Sequence, residues 1–473
     1  MTDTNTVPRE TAPGGLVPGD AERALRMSRR HPVPTLAVAP SLPLQVALER
    51  AAAGDRVEPA TAELLLAEAP MLALAGAADE RRRALSTPGV VTYQIDRNIN
   101  YTNVCVTDCS FCAFYRHRGD AEAYTQGVEE ILERCREAVE LRATSILLQG
   151  GHNPWLPIGY YETLFSAIRA QFPQLHIHAL SPTEIHFIAT RVEHVSADEV
   201  VARLRDAGLD SVPGGGAEIL VDRVRDTISP KKTRSAEWIE TARAVHRAGL
   251  PTTATMMIGH RETPAERVEH LRLLRSLQDE DPGILSFICW TYQPDHTELG
   301  GTRASGVDYL RTMAVARLML DNVDHLQASW LTVGMQVGQL ALAFGVDDLG
   351  SVMLEENVVT LAGAPHSSNE EELIRLISDA GLQAVRRDTY YRTVEVPEPG
   401  EGAGERLERR RRGRIAGPGI EGSTPVQAEG TAGVVPAGET PTGRRRRAAE
   451  AVEAASAERS AAARAASEVP AGS

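Results

Sequence analysis

Val90-Val-Thr-Tyr-Gln-Ile-Asp-Arg-Asn-Ile-Asn-Tyr-Thr-Asn-Val-Cys-Val-Thr-Asp-Cys-Ser-Phe-Cys-Ala-Phe-Tyr115 is an extended run that delivers the chain into three cysteines, Cys105, Cys109 and Cys112. Their C-x3-C-x2-C spacing places three thiols on one short loop at a strand end. Three thiolates suffice for three irons of a [4Fe–4S] cluster and leave the fourth iron to a non-protein partner, whereas structural clusters and zinc sites take four protein ligands. A Cys3His zinc site completed by His117 is the competing reading, although the first gap of three residues departs from the usual C-x2-C hairpin. Cys135 falls on the apolar stripe of a helix and Cys289 in the apolar run Ile284–Trp290, so neither offers a convenient fourth ligand. Few cysteines in a long chain without a secretory leader make no disulfide framework, and a reduced, intracellular protein is expected.

Outward from that stretch, helical and extended signals alternate. Residues 43–86 carry two or three helices, and the cysteine loop is followed by a helix over 127–142, a strand at Thr144–Gln149, a helix over 159–171 and a strand at His176–Ser181. Ser196-Ala-Asp-Glu199 is a capping box for a helix ending at Gly208, and Leu209–Val212 reads as the next strand. A helix from Ser235 to Gly249, strand Thr252–Ile258, a helix over 264–279, strand Leu285–Tyr292, a helix over 306–321, strand Leu326–Trp330 and a helix over 333–344 follow. Strands separated by amphipathic helices of about 10–15 residues specify βαβ units and a parallel sheet. The number of repeats favours an α/β, TIM-like (β/α) barrel, complete or partly open, over a doubly wound sheet.

A net charge of -14 argues against a nucleic-acid surface on the main body. No apolar run approaches the about 20 residues a membrane helix needs, and Met71–Ala77 is short. The expected organisation is an N-terminal extension over 1–40, a helical lead-in over 41–89, the barrel over 90–393, and a Pro/Gly/Ala/Arg-rich tail over 394–473. Both ends have too little apolar surface to offset chain entropy and read as disordered. The basic clusters Arg409–Arg412 and Arg444–Arg447 read as solvated parts of that tail.

Functional residues of such a barrel gather at the carboxyl ends of its strands. The cysteine loop, Gln149-Gly-Gly-His152, Ser181-Pro-Thr-Glu184, Pro213-Gly-Gly-Gly-Ala-Glu218, Gly259-His-Arg-Glu262 and Trp290-Thr-Tyr-Gln-Pro-Asp295 all fall there. Gly150 and Gly151 leave the backbone bare where a ligand could approach. Gly214, Gly215 and Gly216 form a candidate substrate cradle that lacks the lysine and hydroxyl of a phosphate loop. Lys231 and Lys232 are candidates for a substrate carboxylate, with an exposed turn as the alternative. His260 and Glu355 are candidate proton acceptors, with a loop histidine and a helix-start acid as the plainer readings.

The cysteine loop, with Phe111 just before its last cysteine, resembles the radical S-adenosylmethionine superfamily, whose open iron chelates S-adenosylmethionine. Gly150-Gly151 resembles the element whose backbone meets the methionine amino group, and Ser181 and Glu184 resemble the positions that meet the ribose. Gly259 and Glu262 resemble the end of the G-x-I-x-G-x-x-E element around the adenine, with Thr255 standing at its first glycine. Asn100–Tyr115, Gly208–Leu220, Ile228-Ser-Pro-Lys-Lys232, Thr253–His260, Trp290-Thr-Tyr-Gln-Pro294 and Gln327-Ala-Ser-Trp330 are further similar to the menaquinone-pathway enzymes that act on futalosine derivatives.

That resemblance covers about residues 45–393 and implies a [4Fe–4S] cluster on Cys105, Cys109 and Cys112, bound S-adenosylmethionine, and an external low-potential donor such as flavodoxin or ferredoxin. The implied reaction is cyclisation of dehypoxanthine futalosine, by hydrogen abstraction at ribose C4′ and addition to the benzoate ring. Two alternatives stand beside it: radical addition to an enolpyruvyl-benzoate ether, as in aminofutalosine synthase, the expected nearest relative, and a non-enzymatic zinc module. A cytoplasmic enzyme with a small-molecule substrate and no nucleic-acid or membrane partner is expected.

Overall fold

The structure, a computed structural model, describes residues 41–398; the disorder expected over 1–40 and along the tail beyond 398 lies outside the described residues. Three helices, Leu42–Ala52, Pro59–Glu68 and Met71–Leu85, come first. Proline in the first turn of the first two fits positions whose N–H has no helical partner. They pack on the outside of the molecule against helix Gly306–Met319. Arg311 of that helix donates to the carbonyls of Leu65, Leu66 and Ala69, satisfying the C-terminal end of Pro59–Glu68.

The strands are β1 Val90–Gln94, β2 Asp96–Ile99, β3 Ser145–Leu148, β4 His176–Ala179, β5 Thr252–Ile258, β6 Ile284–Thr291, β7 His325–Ala328, β8 Asp348–Ser351, β9 Gln383–Arg387 and β10 Thr393–Glu395. One sheet runs β10-β9-β1-β8-β7-β6-β5 and the other β2-β3-β4, all parallel except β10. The expected strand at Leu209–Val212 joins them only as two bridges, His178 to Ser211 and Val212 to Thr252. Pro213 follows at once, and a residue without an N–H cannot extend the ladder. At the other seam the single run Val90–Ile99 serves both sheets, and the Val352 and Leu354 amides donate to the Gln94 and Asp96 carbonyls. The ring therefore closes, and the fold is a TIM-like (β/α) barrel.

Several elements depart from expectation. The strand expected to reach Ser181 stops at Ala179, because Ser181 caps helix Pro182–Phe187, its hydroxyl accepting the Glu184 amide; a π-turn, Ile188–Glu193, continues it. The helix expected over 333–344 is broken by Gly334 at φ 88 into Trp330–Val333 and Met335–Ala341, which also ends the preceding strand early. β8 was invisible as a strand because Asp-Leu-Gly-Ser lacks an apolar run, although all four residues are buried. β9 and β10 extend the sheet beside β1 and bury Arg386 and Arg387. Cys135 and Cys289 are both fully buried.

Candidate active site

A cavity of about 400 Å³ opens among the strand carboxyl ends and runs down the barrel axis. Cys105, Cys109 and Cys112 all line it, with Gly150 and Gly151 beside them and Arg387 and Tyr391 at its far end. The cysteine loop is pinned to the barrel by backbone pairing: Cys105 N–H donates to Arg116 O at 3.0 Å and Arg116 N–H to Asn103 O at 2.8 Å. Arg116 Nη1 gathers the carbonyls of Ala113 and Tyr115, so the loop wraps its own guanidinium. Ser110 N–H reaches across to Ile228 O at 2.9 Å, tying the loop to the segment that carries Lys232.

Cys105 and Cys109 are buried and Cys112 is half-buried. Burial pushes Cys109 up to about 12 and raises Cys112, while the Lys232 ammonium pulls both the other way. The Phe114 and Tyr115 amides also favour the Cys112 thiolate, and His152 N–H donates to Cys105 Sγ at 3.3 Å. Metal binding must displace the thiol protons, so burial sets a demand for a strongly thiophilic partner. Among the described residues, no three His, Cys, Asp or Glu side chains converge on one point where a single ion could sit. Three soft thiol donors on one cavity wall are the ligand type an iron–sulfur cluster takes. His117, the fourth ligand of the zinc reading, is exposed and pairs with Asp108 at 3.1 Å instead.

Gly150 and Gly151 have no room for a side chain. A Cβ on Gly150 would stand 2.6 Å from the Tyr101 ring, and one on Gly151 would stand 2.2 Å from Val104 O and 2.9 Å from Cys105 Cβ. Beneath them Glu184 accepts from Gly150 N–H at 3.0 Å, Tyr101 Oη at 2.7 Å and Ser181 Oγ at 2.5 Å. Burial raises the Glu184 carboxyl against these donors and Lys232. Its Oε1 takes two donors and its Oε2 one, which leaves Oε2 able to accept a further donor.

The remaining expected residues divide. Gly215, Gly216 and Lys232 line the cavity; Gly214 packs against β5, where a Cβ would meet Thr253 O at 2.4 Å. Lys232 Nζ donates to Glu218 at 2.8 Å and lies 5.3 Å over the Phe111 ring. Its pKa is raised: burial opposes the charge, but Glu218 and Cys109 outweigh it. Lys231 instead pairs with Asp108 at the surface and does not line the cavity. Gly259, His260 and Glu262 also stand outside it. Glu262 accepts the Gly259 and His260 amides and holds Arg267 at 2.8 Å, while His260 Nε2 bonds Met257 O at 2.9 Å. Burial lowers His260 and keeps it neutral. Glu355 is held by Arg97 at 2.8 Å, by Arg134 and by Asn357 at 2.9 Å. Neither expected proton acceptor reaches the cavity; both are spent on loop structure.

The barrel interior supplies polar groups that a reading keyed to strand ends passes over: Gln94, Asp96, Asn98, His178, Thr255 and Arg387. Their signal was the period-two alternation that points every second strand residue inward. Asp96 accepts from Ser351 Oγ at 2.5 Å and Gln94 Nε2 at 2.9 Å, and burial raises its carboxyl despite them. Arg387 donates to Asp348 at 2.5 and 2.9 Å and stacks 3.9 Å over Tyr391.

A parallel barrel with three cysteines, a bare glycine pair and a deep interior cavity at one mouth defines a cluster-bearing radical enzyme class. The radical SAM superfamily model matches residues 99–274, and the model of the CofH/MqnC C-terminal region matches residues 281–400. Cyclic dehypoxanthine futalosine synthase of Streptomyces coelicolor is 48% identical over 385 residues, spanning 80% of this chain and 96% of that protein. A 5-amino-6-(D-ribitylamino)uracil--L-tyrosine 4-hydroxyphenyl transferase of Methanosarcina barkeri is 41% identical over 366 residues, 75% of this chain and 93% of that one. Aminodeoxyfutalosine synthase of Thermus thermophilus is 38% identical over 333 residues, 69% and 88% respectively, so it is not the nearest alternative that the motifs had suggested. The crystal structure of methylornithine synthase superposes with a TM-score of 0.58 at 16% identity, over 72% of this chain and 97% of that one, a likeness of fold. The chain belongs to the radical S-adenosylmethionine superfamily. Within it, the chain is of the CofH/MqnC type, and its cofactors are a [4Fe–4S] cluster and S-adenosylmethionine.

Proposed function

We propose that this chain catalyses the cyclisation of dehypoxanthine futalosine in menaquinone biosynthesis. The observation that carries this reading is the 48% identity spanning 96% of a cyclic dehypoxanthine futalosine synthase. Bound at Cys105, Cys109 and Cys112, the cluster with S-adenosylmethionine supplies a carbon radical able to take hydrogen from an unactivated C–H bond.

The chain's own residues hold and screen the reactants. Gly150 and Gly151 present bare backbone to the cofactor's amino-acid end, and Glu184 fixes that backbone from below. Phe111, Leu147, Ile288, Trp290 and Val359 give the cavity an apolar wall. Such a wall excludes water and places the substrate ring near its ribose, which is the contribution a protein makes to radical chemistry. Lys232, with Gly215 and Gly216, is the retained candidate for the substrate's polar end, since its ammonium stays charged at the cavity wall.

An external low-potential donor such as flavodoxin or ferredoxin and a cytoplasmic setting belong to this reading. Among the described residues no helix is long and apolar enough to cross a membrane. The test is anaerobic incubation of the reconstituted chain with reductant, S-adenosylmethionine and, separately, dehypoxanthine futalosine and the enolpyruvyl-benzoate ether. Conversion of the first to its cyclic form supports the proposal; turnover of the ether alone overturns it.

A further inference from the structure

His176 and His178 stand on the same face of β4, and both project into the barrel. His178 lines the cavity, while His176 lies at the amino end of the strand, toward the opposite mouth. Ser211, paired with His178 on the neighbouring run, places its hydroxyl between the two rings. Its Oγ is 2.6 Å from His178 Nδ1 and 2.6 Å from His176 Nε2.

A hydroxyl carries one proton and can donate to only one of these nitrogens, so the other nitrogen must bear a proton and donate to Oγ. The tautomers of the two rings are therefore coupled through Ser211. Burial keeps both rings neutral, pulling His178 down to about 3 and His176 to about 4. Arg387 also faces His178; Asp210, Asp388, Arg169 and Arg392 surround His176. Tyr390, itself 40% exposed, packs its ring 4.8 Å from His176, so this end of the chain of groups is at the protein surface.

Among the cavity's other titratable groups, Asp96 is held by Ser351 and Gln94, and Glu356 by the amides of Val358, Val359 and Thr360. Glu218 takes Lys232 on Oε1, and its Oε2 stands 3.7 Å from Arg225 without a hydrogen bond. The unpartnered Nδ1 of His152 is itself buried. His178, with Nδ1 on Ser211, has Nε2 left for the cavity.

We infer that His178, Ser211 and His176 form a proton conduit from the cavity to the amino-terminal mouth of the barrel, carrying away the proton lost when the ring radical left by addition gives up one electron to a one-electron acceptor and regains aromaticity. This rests on the function proposed above. A proton bonds to His178 Nε2; the Nδ1 proton passes to Ser211 Oγ, the hydroxyl proton passes to His176 Nε2, and His176 Nδ1 yields its proton to water. One N–H or O–H bond forms for each that breaks, no electron moves, and one positive charge leaves the cavity.

The test compares the full-length, cluster-loaded chain with Ser211→Ala and Ser211→Thr. With the hydroxyl gone, kcat falls about ten-fold or more while KM stays within about two-fold. The effect of deuterated solvent on kcat grows in Ser211→Ala and returns to the wild-type value in Ser211→Thr. Wild-type kcat in Ser211→Ala overturns the conduit, and so does Ser211→Thr as slow as Ser211→Ala, which marks a packing defect. A wild-type chain that leaves dehypoxanthine futalosine untouched sinks the functional reading instead. The conduit is then judged by nitrogen NMR of the imidazoles in the unloaded full chain. Coupled His176 and His178 tautomers that separate in Ser211→Ala support it, and signals indifferent to that substitution overturn it.

Discussion

Glu184 Oε1 receives the Gly150 amide at 3.0 Å, in a site where the same oxygen also takes the Tyr101 hydroxyl at 2.7 Å. The carboxylate thus fixes the backbone at a place where a side chain is excluded. Glu184→Ala leaves those donors without their acceptor, and each buried donor left unpaired costs about 1–3 kcal/mol. The expected outcome is a lower thermal midpoint together with weakened S-adenosylmethionine affinity, read by calorimetry on the cluster-loaded chain. Glu184→Gln, which keeps an acceptor oxygen, is the milder variant. Unchanged affinity in Glu184→Ala would remove the residue from the cofactor site.

Gly151→Ala forces a methyl to 2.2 Å from Val104 O, a backbone atom that cannot swing away. The strand end or the cysteine loop must shift, and Cys105, whose Cβ stands 2.9 Å from the same point, shifts with it. Reduced iron content and reduced absorption near 400 nm after anaerobic reconstitution are expected. Gly89→Ala is the control: no atom lies within 4 Å of its Cβ position, and although its φ of +77 strains the turn, iron loading is retained.

What the chain displays openly is the set of strand-to-loop junctions: three closely spaced cysteines, two glycine clusters and Glu184 all read as departures from packing pattern, and all but Gly214 come to the cavity wall. What it hides are inward polar residues within strands. Asp96, His178 and Arg387 interrupt apolar runs and look like breaks, yet each is accommodated by a partner remote in sequence, Ser351, Ser211 and Asp348. His260, Glu262 and Glu355 stand outside the cavity lining. They are conspicuous polar groups at loop starts, and their bonds close on neighbouring amides and arginines.

Those placements separate activity from structure. Lys232→Met removes the ammonium facing Glu218 and the cavity, and kcat/KM is expected to drop by about two orders of magnitude or more, as loss of a buried charged contact does. His260→Gln is expected to keep kcat/KM within about three-fold, because its ring bonds Met257 O and stands 3.4 Å from Glu262, both outside the cavity. Steady-state kinetics on the loaded variants distinguishes the two. Equal losses in both would return His260 to the reacting centre.

Stability carries a pH signature from the neutral interior histidines. His270 is fully buried, accepts the Leu220 amide on Nδ1 at 3.0 Å, and is pulled down to about 3 by burial. Its folded value lies below the unfolded value near 6.5, so unfolding takes up a proton throughout that window. Stability is therefore complete above about pH 6.5 and falls as pH drops, by about 1.4 kcal/mol per pH unit for each such histidine. Urea unfolding of the unloaded chain between about pH 4.5 and 6.5 should show this slope. His270→Gln, which has no titrating ring, should lower it by one proton's worth; an unaltered slope would place the proton uptake elsewhere.

The sharpest measurement follows deuterium from ribose C4′ of dehypoxanthine futalosine through one anaerobic turnover. The expected result is label in the released 5′-deoxyadenosine and a cyclic product lacking it, with neither formed by Cys109→Ala. Label retained in a product formed at wild-type rate, or full turnover by Cys109→Ala, would contradict the central claim that these three cysteines arm the cavity for hydrogen abstraction from that sugar.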